Sequence, residues 1–369
     1  MENLATDVTL NTDSNIGLVK LHELALSEHE IKVMKDLLSQ SFPPQEIENF
    51  YYLQINRGLS KAKKIAAKPH NLYPLLIKLS TVEDISDEYG GYKKLLFRVN
   101  TSNLLRCEGI AYHGAIGGIA YHYVTRGRVR DTYDRLDVIP KDGAKEESDR
   151  VNKIINNVLD SALKKSHFSH GLPKDIRPVK MHMEDTRIFT DHFFTEKEKI
   201  ELLAVYNRII SNALNIMAPF GTVHGDLHPK NILVGMNDTP ILIDYNYVRS
   251  GECIFTDYAK LEVYMLTMFP QNVTTSFFDR NLFERQYSSD PLILPRSERC
   301  FLSSAIFEIR KILWKNCMSN NIAMNYLEID IVYRAYLAYH FLRMAKKTGV
   351  SRWARDVAYN AILNLGGAK

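Results

Sequence analysis

Cysteine is scarce in this chain. Its four thiols, Cys107, Cys253, Cys300 and Cys317, lie far apart and form no Cys-x-x-Cys pair. That spacing argues against a zinc ribbon and for a reducing compartment. Long apolar runs are missing as well, since no stretch approaches the roughly eighteen residues of a membrane span. Residues Met1 to Asp7 are acidic and polar, not the basic-then-apolar pattern of a signal peptide. The expected localisation is therefore cytoplasmic, with later export by a dedicated machine left open. Charge of one sign is also weak: a net +4 is too mild to argue for nucleic acid. What remains is an ordinary globular composition, 45% apolar and 24% charged, on 369 residues, enough for two lobes with separate cores.

One stretch stands out against this plain background. His224-Gly225-Asp226-Leu227-His228-Pro229-Lys230-Asn231 is followed by apolar Ile232–Val234, a polar turn, apolar Pro240–Ile243 and then Asp244. The two apolar pieces around Gly235-Met236-Asn237-Asp238 predict a hairpin that brings Asp244 back beside them. Asp226 and Asn231 are five apart, so one compact loop can aim both at the same point. Phosphoryl transfer from a nucleotide uses this kit: one carboxylate orients the attacking hydroxyl, and an amide with a second carboxylate holds Mg²⁺.

The segment resembles the catalytic loop and metal-binding segment of the protein-kinase-like superfamily, in its aminoglycoside and choline phosphotransferase branch. It is most similar to the bacterial ternary-complex-associated kinase-like domains. His228 marks the branch, because typical protein kinases place a lysine two residues after the catalytic aspartate. The resemblance implies an α+β, bilobal protein-kinase-like fold with a small β-sheet N-lobe and a mainly helical C-lobe. The expected division is an arm and accessory helix over 1–45, the N-lobe over 46–124 and the C-lobe over 125–369. It also implies ATP and Mg²⁺ as cofactors, Asp226 as the catalytic carboxylate, and Asn231 and Asp244 as metal ligands. His228 would approach the γ-phosphate.

Weaker signals follow in matching order. Ser27-Glu28-His29-Glu30 is a capping box that opens a helix stopped by Pro43-Pro44. Phe50–Ile55 and Lys63–Ala67 read as strands around Gly58 and Ser60, a tip that is either an ordinary turn or, as the resemblance favours, a loop whose backbone N–H groups can approach phosphate. The full Gly-x-Gly-x-x-Gly of protein kinases is absent. Lys78 is the one charge in the apolar strand Leu72–Leu79, and it either snorkels at an edge or serves a purpose. By resemblance it pairs with phosphates and with a helix glutamate, for which Glu88 in Asp84–Phe97 is preferred over Glu83. Strands Gly109–Tyr112 and Gly118–Val124 lead to a hinge at Thr125-Arg126-Gly127. There Tyr121, Tyr123 and Val124 either line an adenine pocket or merely alternate along a strand. A short helix is expected over Arg130–Leu136 and a surface loop over Pro140–Arg150.

Beyond that, Val151–Lys164 has helical periodicity. The irregularly spaced His167, His170 and His182 suggest an insertion that shapes a substrate cleft rather than a metal site. Thr195–Glu198 is a second capping box, for a helix running to about Met217 and straight into the catalytic loop. Asp257 is either an N-cap or, as the resemblance implies, also a brace for that loop. Three apolar-periodic segments after Leu302 predict a helical tail. Aminoglycoside kinases, which the chain resembles, line their substrate cleft with acidic residues from this region. Arg343, Lys346, Lys347, Arg352 and Arg355 here therefore either make a polycationic acceptor a poor substrate or simply form a solvated face. Tyr245-Asn246 stands where related kinases have Phe-Gly, and Asn246 is expected to tolerate a left-handed turn. The expected activity is transfer of the γ-phosphate to an unidentified hydroxyl acceptor, a small molecule being favoured. The alternatives are a protein kinase or nucleotidyl transferase on the same fold, or a nucleotide-binding pseudokinase scaffold.

Overall fold

The computed structural model describes residues 19–47, 49–55, 62–68, 75–122, 134–136, 145–168, 175–268, 301–320 and 322–366. The chain divides into two compact units, Met1–Asp134 with Leu233–Val248, and Arg135–Ile232 with Arg249–Lys369.

In the first unit, Ser27 and Glu30 close the capping box and helix α1 (Glu28–Ser39) follows. Pro44 opens a single turn, α2 (Pro44–Ile47). Five antiparallel strands then form one sheet in the order β1-β2-β3-β5-β4. They are β1 (Tyr51–Ile55), β2 (Lys63–Lys68), β3 (Leu75–Thr81), β4 (Cys107–His113) and β5 (Ile116–His122), with helix α3 (Val82–Leu96) between β3 and β4. Strand periodicity decides what each face does. Leu75, Ile77 and Leu79 of β3 share a core with Ile65, Ala67 and the α1 residues Val33, Met34, Leu37 and Leu38. The helix that the sequence sets apart as accessory thus closes one side of the sheet. Lys78 points the other way, in the central strand, and is only 5% exposed.

Among the described residues, the second unit carries the α-helices α4 (Lys145–Asn156), α5 (Lys164–His167), α6 (Glu196–Ala213), α7 (Phe255–Met268), α8 (Phe301–Ser319), α9 (Tyr326–Ala345) and α10 (Arg352–Leu365). A three-stranded sheet of β7 (Ile176–Pro178), β8 (Met217–Val223) and β11 (Arg249–Cys253) accompanies them, with β8 in the middle. Helix α7 is buried over most of its circumference, as expected of a central helix. Its Glu262 is inaccessible to solvent, and is matched by Arg310 of α8 and by the Tyr333 hydroxyl of α9 at 2.7 Å. An ion pair this dry persists only with every partner in place.

Three expectations are corrected. The described part of Arg130–Leu136 includes a strand, β6 (Asp134–Arg135), not helix. Helix α4 already begins at Lys145, inside the stretch expected as loop, because its charged first turn shows no apolar stripe to read. Helix α6 ends at Ala213 and does not reach Met217. Asn215 adopts φ 69°, a left-handed conformation that asparagine tolerates, and Met217 starts β8 with 47% of its surface exposed. A strand, not a helix, therefore feeds the loop.

The two remaining strands, β9 (Ile232–Val234) and β10 (Pro240–Leu242), form the hairpin read from sequence, with Asn237 and Asp238 left-handed at its tip. Behind it, α3 lies so close that a Cβ on Gly91 would stand 2.0 Å from the Tyr245 carbonyl oxygen. Its neighbour Gly90 has nothing within 4 Å. Gly91→Ala is expected to cost roughly 2–3 kcal/mol by overpacking. Gly90→Ala is expected to add about 0.5–1 kcal/mol by helix propensity. Urea midpoints of the two variants should move in opposite directions.

Candidate active site

The sequence-predicted residues gather in two clusters, one in each unit. In the first, Lys78 Nζ lies 2.5 Å from Glu88 Oε2 and 2.9 Å from Asp244 Oδ1. Glu83, the competing glutamate, is exposed in the first turn of α3. Burial opposes the charge on Lys78, yet Glu88 and Asp244 together raise its pKa above the usual lysine value. Tyr121 is buried: it is 3% exposed and donates its hydroxyl proton to Glu88 Oε1 at 2.7 Å. Burial and the facing carboxylate keep that proton on the tyrosine. Glu88 is thus gripped at both oxygens, which fixes the acid that fixes the lysine.

The backbone strain falls on Asp244 (φ 65°, ψ 74°), and Asn246 keeps negative φ, contrary to the sequence reading. A non-glycine residue in this region costs free energy and persists only where its surroundings hold it. Tyr245 supplies part of that hold. It is fully buried, its hydroxyl accepts from the Leu105 N–H at 2.8 Å and donates to the Leu242 carbonyl. Tyrosine in place of phenylalanine therefore adds two backbone tethers.

The second cluster is built on the loop between β8 and β9. Pro229–Asn231 forms a single 3₁₀ turn. Asn231 donates its amide to the Asp226 carbonyl at 2.9 Å and to Asp226 Oδ2 at 3.1 Å. That leaves the amide oxygen of Asn231 as its acceptor. His228 stacks on Tyr264 of α7 with ring centroids 4.7 Å apart, and its Nε2 is 3.5 Å from Asp226 Oδ2. Burial works against the charge on Asp226, but His228 and the Lys260 ammonium hold it well below the usual carboxylate range.

Asp257 is a brace and not an N-cap, because α7 begins at Phe255. Its inaccessible carboxylate accepts from the His224 N–H at 2.8 Å and the Gly225 N–H at 2.9 Å, and it pairs with His167 Nε2 at 2.9 Å. Gly225 is left-handed at φ 73°, which glycine alone adopts without strain. His167 belongs to α5 rather than to a cleft-shaping loop. A Cβ on Gly221 would meet its carbonyl oxygen at 2.3 Å, and Ser166 Oγ donates to the Thr222 carbonyl at 2.5 Å.

Two members of this cluster escape sequence reading. His167 is ninety residues from Asp257, with no local signal joining them. Lys260 had a faint one: it stands three residues after Asp257, so a helix puts both on one face. Its Nζ contacts Asp226 Oδ1 and donates to the Gly225 carbonyl at 2.9 Å. Among the tail's basic residues, Arg355 is buried rather than solvated. It makes two hydrogen bonds to Asp191, at 2.7 and 2.8 Å, and stacks on Phe193. Arg343 is exposed on α9 and adds positive charge beside Lys260. Gly58, Ser60, Tyr123 and Val124 lie outside the described residues.

Many solved structures are similar to this chain in fold, two of them as follows. A thermostable mutant of aminoglycoside phosphotransferase APH(4)-Ia in its apo form is 11% identical, with 86% of this chain and 95% of that chain covered and a TM-score of 0.50. Amicoumacin kinase hAmiN in complex with AMP-PNP, Ca2+ and Ami is 10% identical, with 93% and 94% covered and a TM-score of 0.51. The chain has the protein-kinase-like α+β fold of these enzymes. More particularly, residues 196–286, from α6 through the loop and α7, match the family described as ternary complex associated domain 9. The resemblance read from the motif therefore holds. No curated protein matches the chain by sequence. Among the described residues no helix is long and apolar enough to cross a membrane.

Asp257→Asn keeps one acceptor oxygen, sets its NH₂ group against the remaining donors and removes the charge, and is expected to cost roughly 3–5 kcal/mol at neutral pH. Burial raises the pKa of Asp257 while His167 lowers it, and the lowering prevails. A depressed carboxylate contributes stability above its unfolded pKa of about 3.9 and loses it as pH falls through the folded value. The gap between wild type and Asp257→Asn in chemical denaturation should therefore narrow below about pH 4.

Proposed function

We propose that the protein is an ATP- and Mg²⁺-dependent phosphotransferase that moves the γ-phosphate to a hydroxyl acceptor, with a small molecule as that acceptor. The observation that carries this is the Asp226 carboxylate, kept ionised and aimed by Asn231 on a loop whose backbone Asp257 holds. So weak a base does not abstract a proton early. It orients a hydroxyl and accepts the proton late, which suits phosphoryl transfer, where positioning and electrostatics dominate.

The Lys78 ammonium, charged at neutral pH, fits the α- and β-phosphates. Asn231 in one unit offers an amide oxygen and Asp244 in the other a carboxylate, each a hard oxygen donor of the kind that Mg²⁺ takes. The ion, when bound, neutralises phosphate charge. The AMP-PNP and Ca2+ in the amicoumacin kinase structure support a nucleotide and a divalent ion here. Lys260 and Arg343 put positive charge near Asp226, which speaks against a polycationic acceptor.

Calorimetry with Mg·ATP and turnover of ATP test the reading together. Asp226→Ala is expected to bind Mg·ATP within a few-fold of wild type and to lose roughly 10²–10⁴ in turnover. Binding by both proteins with turnover by neither, across small-molecule and protein acceptors, would replace the enzyme with a nucleotide sensor. No binding at millimolar ATP would remove the nucleotide altogether.

A further inference from the structure

Lysine 260 is the least expected group around Asp226. It projects from inside α7, is only 7% exposed, and reaches out of its helix to touch Asp226 Oδ1 and the Gly225 carbonyl. A buried ammonium is costly, and an apolar side chain would fill the same space more cheaply. Burial pulls Lys260 below the usual lysine pKa and Asp226 pulls it back. Nor does it help Asp226 as a base, because a cation on a carboxylate weakens proton affinity. Something other than packing or basicity must explain its place.

Geometry supplies the explanation. A carboxylate offers about four acceptor positions, and Lys260, Asn231 and His228 occupy three, leaving one for a hydroxyl. A hydroxyl bound there sits roughly 2.6–3.2 Å from the carboxylate, and a phosphorus poised for attack lies about 3–3.5 Å farther on. The Lys260 ammonium, in contact with the same carboxylate, is therefore within reach of the oxygens of that phosphoryl group.

We propose that Lys260 is a catalytic cation, holding Asp226 in place and stabilising the phosphoryl group as it passes to the acceptor. The assignment rests on the phosphotransfer reading above. In the step, the acceptor oxygen forms a bond to the γ-phosphorus while the bond from that phosphorus to the β,γ-bridging oxygen breaks. The leaving ADP keeps that electron pair, and the acceptor proton passes late to Asp226 and then to solvent. Negative charge spreads over the transferring oxygens, and the ammonium is most useful at that moment. His228, with Nε2 at 3.5 Å from the other carboxylate oxygen, offers a second position from which a lysine could reach Asp226.

The test compares Mg·ADP with Mg·ADP–aluminium fluoride, a mimic of the transferring group, by calorimetry, alongside ATP turnover. Lys260→Met should bind Mg·ADP within roughly threefold of wild type, bind the fluoride complex at least about 30-fold more weakly, and lose roughly 100-fold in turnover. The double variant His228→Lys/Lys260→Met, with an ammonium returned to the carboxylate, should regain at least about a tenth of wild-type turnover. Should Lys260→Met not fold, Lys260→Gln, which removes the charge but keeps a polar group for the Gly225 carbonyl, carries the same comparison. Equal weakening of both ligands in Lys260→Met would make the lysine a structural pin and overturn the assignment. A wild-type enzyme that turns over ATP while Lys260→Met matches it would sink the Lys260 assignment alone. A wild type that neither turns over ATP nor prefers the fluoride complex would bring down the phosphotransfer reading with it.

Discussion

The carboxylate of Asp257 sits in the dry interior of the second unit and takes hydrogen bonds from His224, Gly225 and His167. An isolated buried carboxylate is too costly to persist, so these donors are a condition of its being there. The constraint runs both ways. If the loop moved, Asp257 would be left with His167 alone, and so the loop backbone is held by the same free energy that keeps the charge buried. Lys260 completes the grip from the same helix: Asp257 takes the Gly225 N–H and Lys260 donates to the Gly225 carbonyl. With one glycine fixed at both backbone groups, the direction of the next residue, Asp226, is decided by α7.

The first unit solves a similar problem with side chains. Lys78 is buried in the central strand of its sheet, where an unpaired ammonium would be untenable. Glu88 and Asp244 pair with it, Tyr121 secures Glu88, and Tyr245 secures the turn that carries Asp244. Close approach of α3 to that turn depends on the missing side chain of Gly91. In both units, a costly buried charge is tied to a strained or left-handed backbone position, Asp244 in one and Gly225 in the other. Paired constraints of this kind are typical of sites kept for chemistry rather than for stability.

Local chemistry was the legible part. Two capping boxes, Ser27 with Glu30 and Thr195 with Glu198, announced α1 and α6 because the bonds involved span only three residues. Period-two apolar strands and the polar turn at 235–238 announced the sheet and the β9–β10 hairpin. The choice of Glu88 over Glu83 was also readable, since depth within a helix can be counted. Where a local signal was ambiguous, the reading slipped. Apolar residues past Ala213 continued a helical pattern that Asn215 in fact ends, and the charged start of α4 had no stripe to mark it.

What the sequence determined by itself was the kit: an acid, an amide and a second acid at set spacing, on a chain able to form a small sheet and many helices. Those features rest on interactions between near neighbours, whose geometry the backbone dictates. Which groups stand behind that kit was decided only by tertiary structure. His167 and Asp257 meet across ninety residues, Lys260 reaches Asp226 from another element, and Tyr121 is tied to Glu88. Each pairing exists because burial makes an unpartnered polar group expensive, and burial is a property of the packed chain that no short stretch of sequence contains.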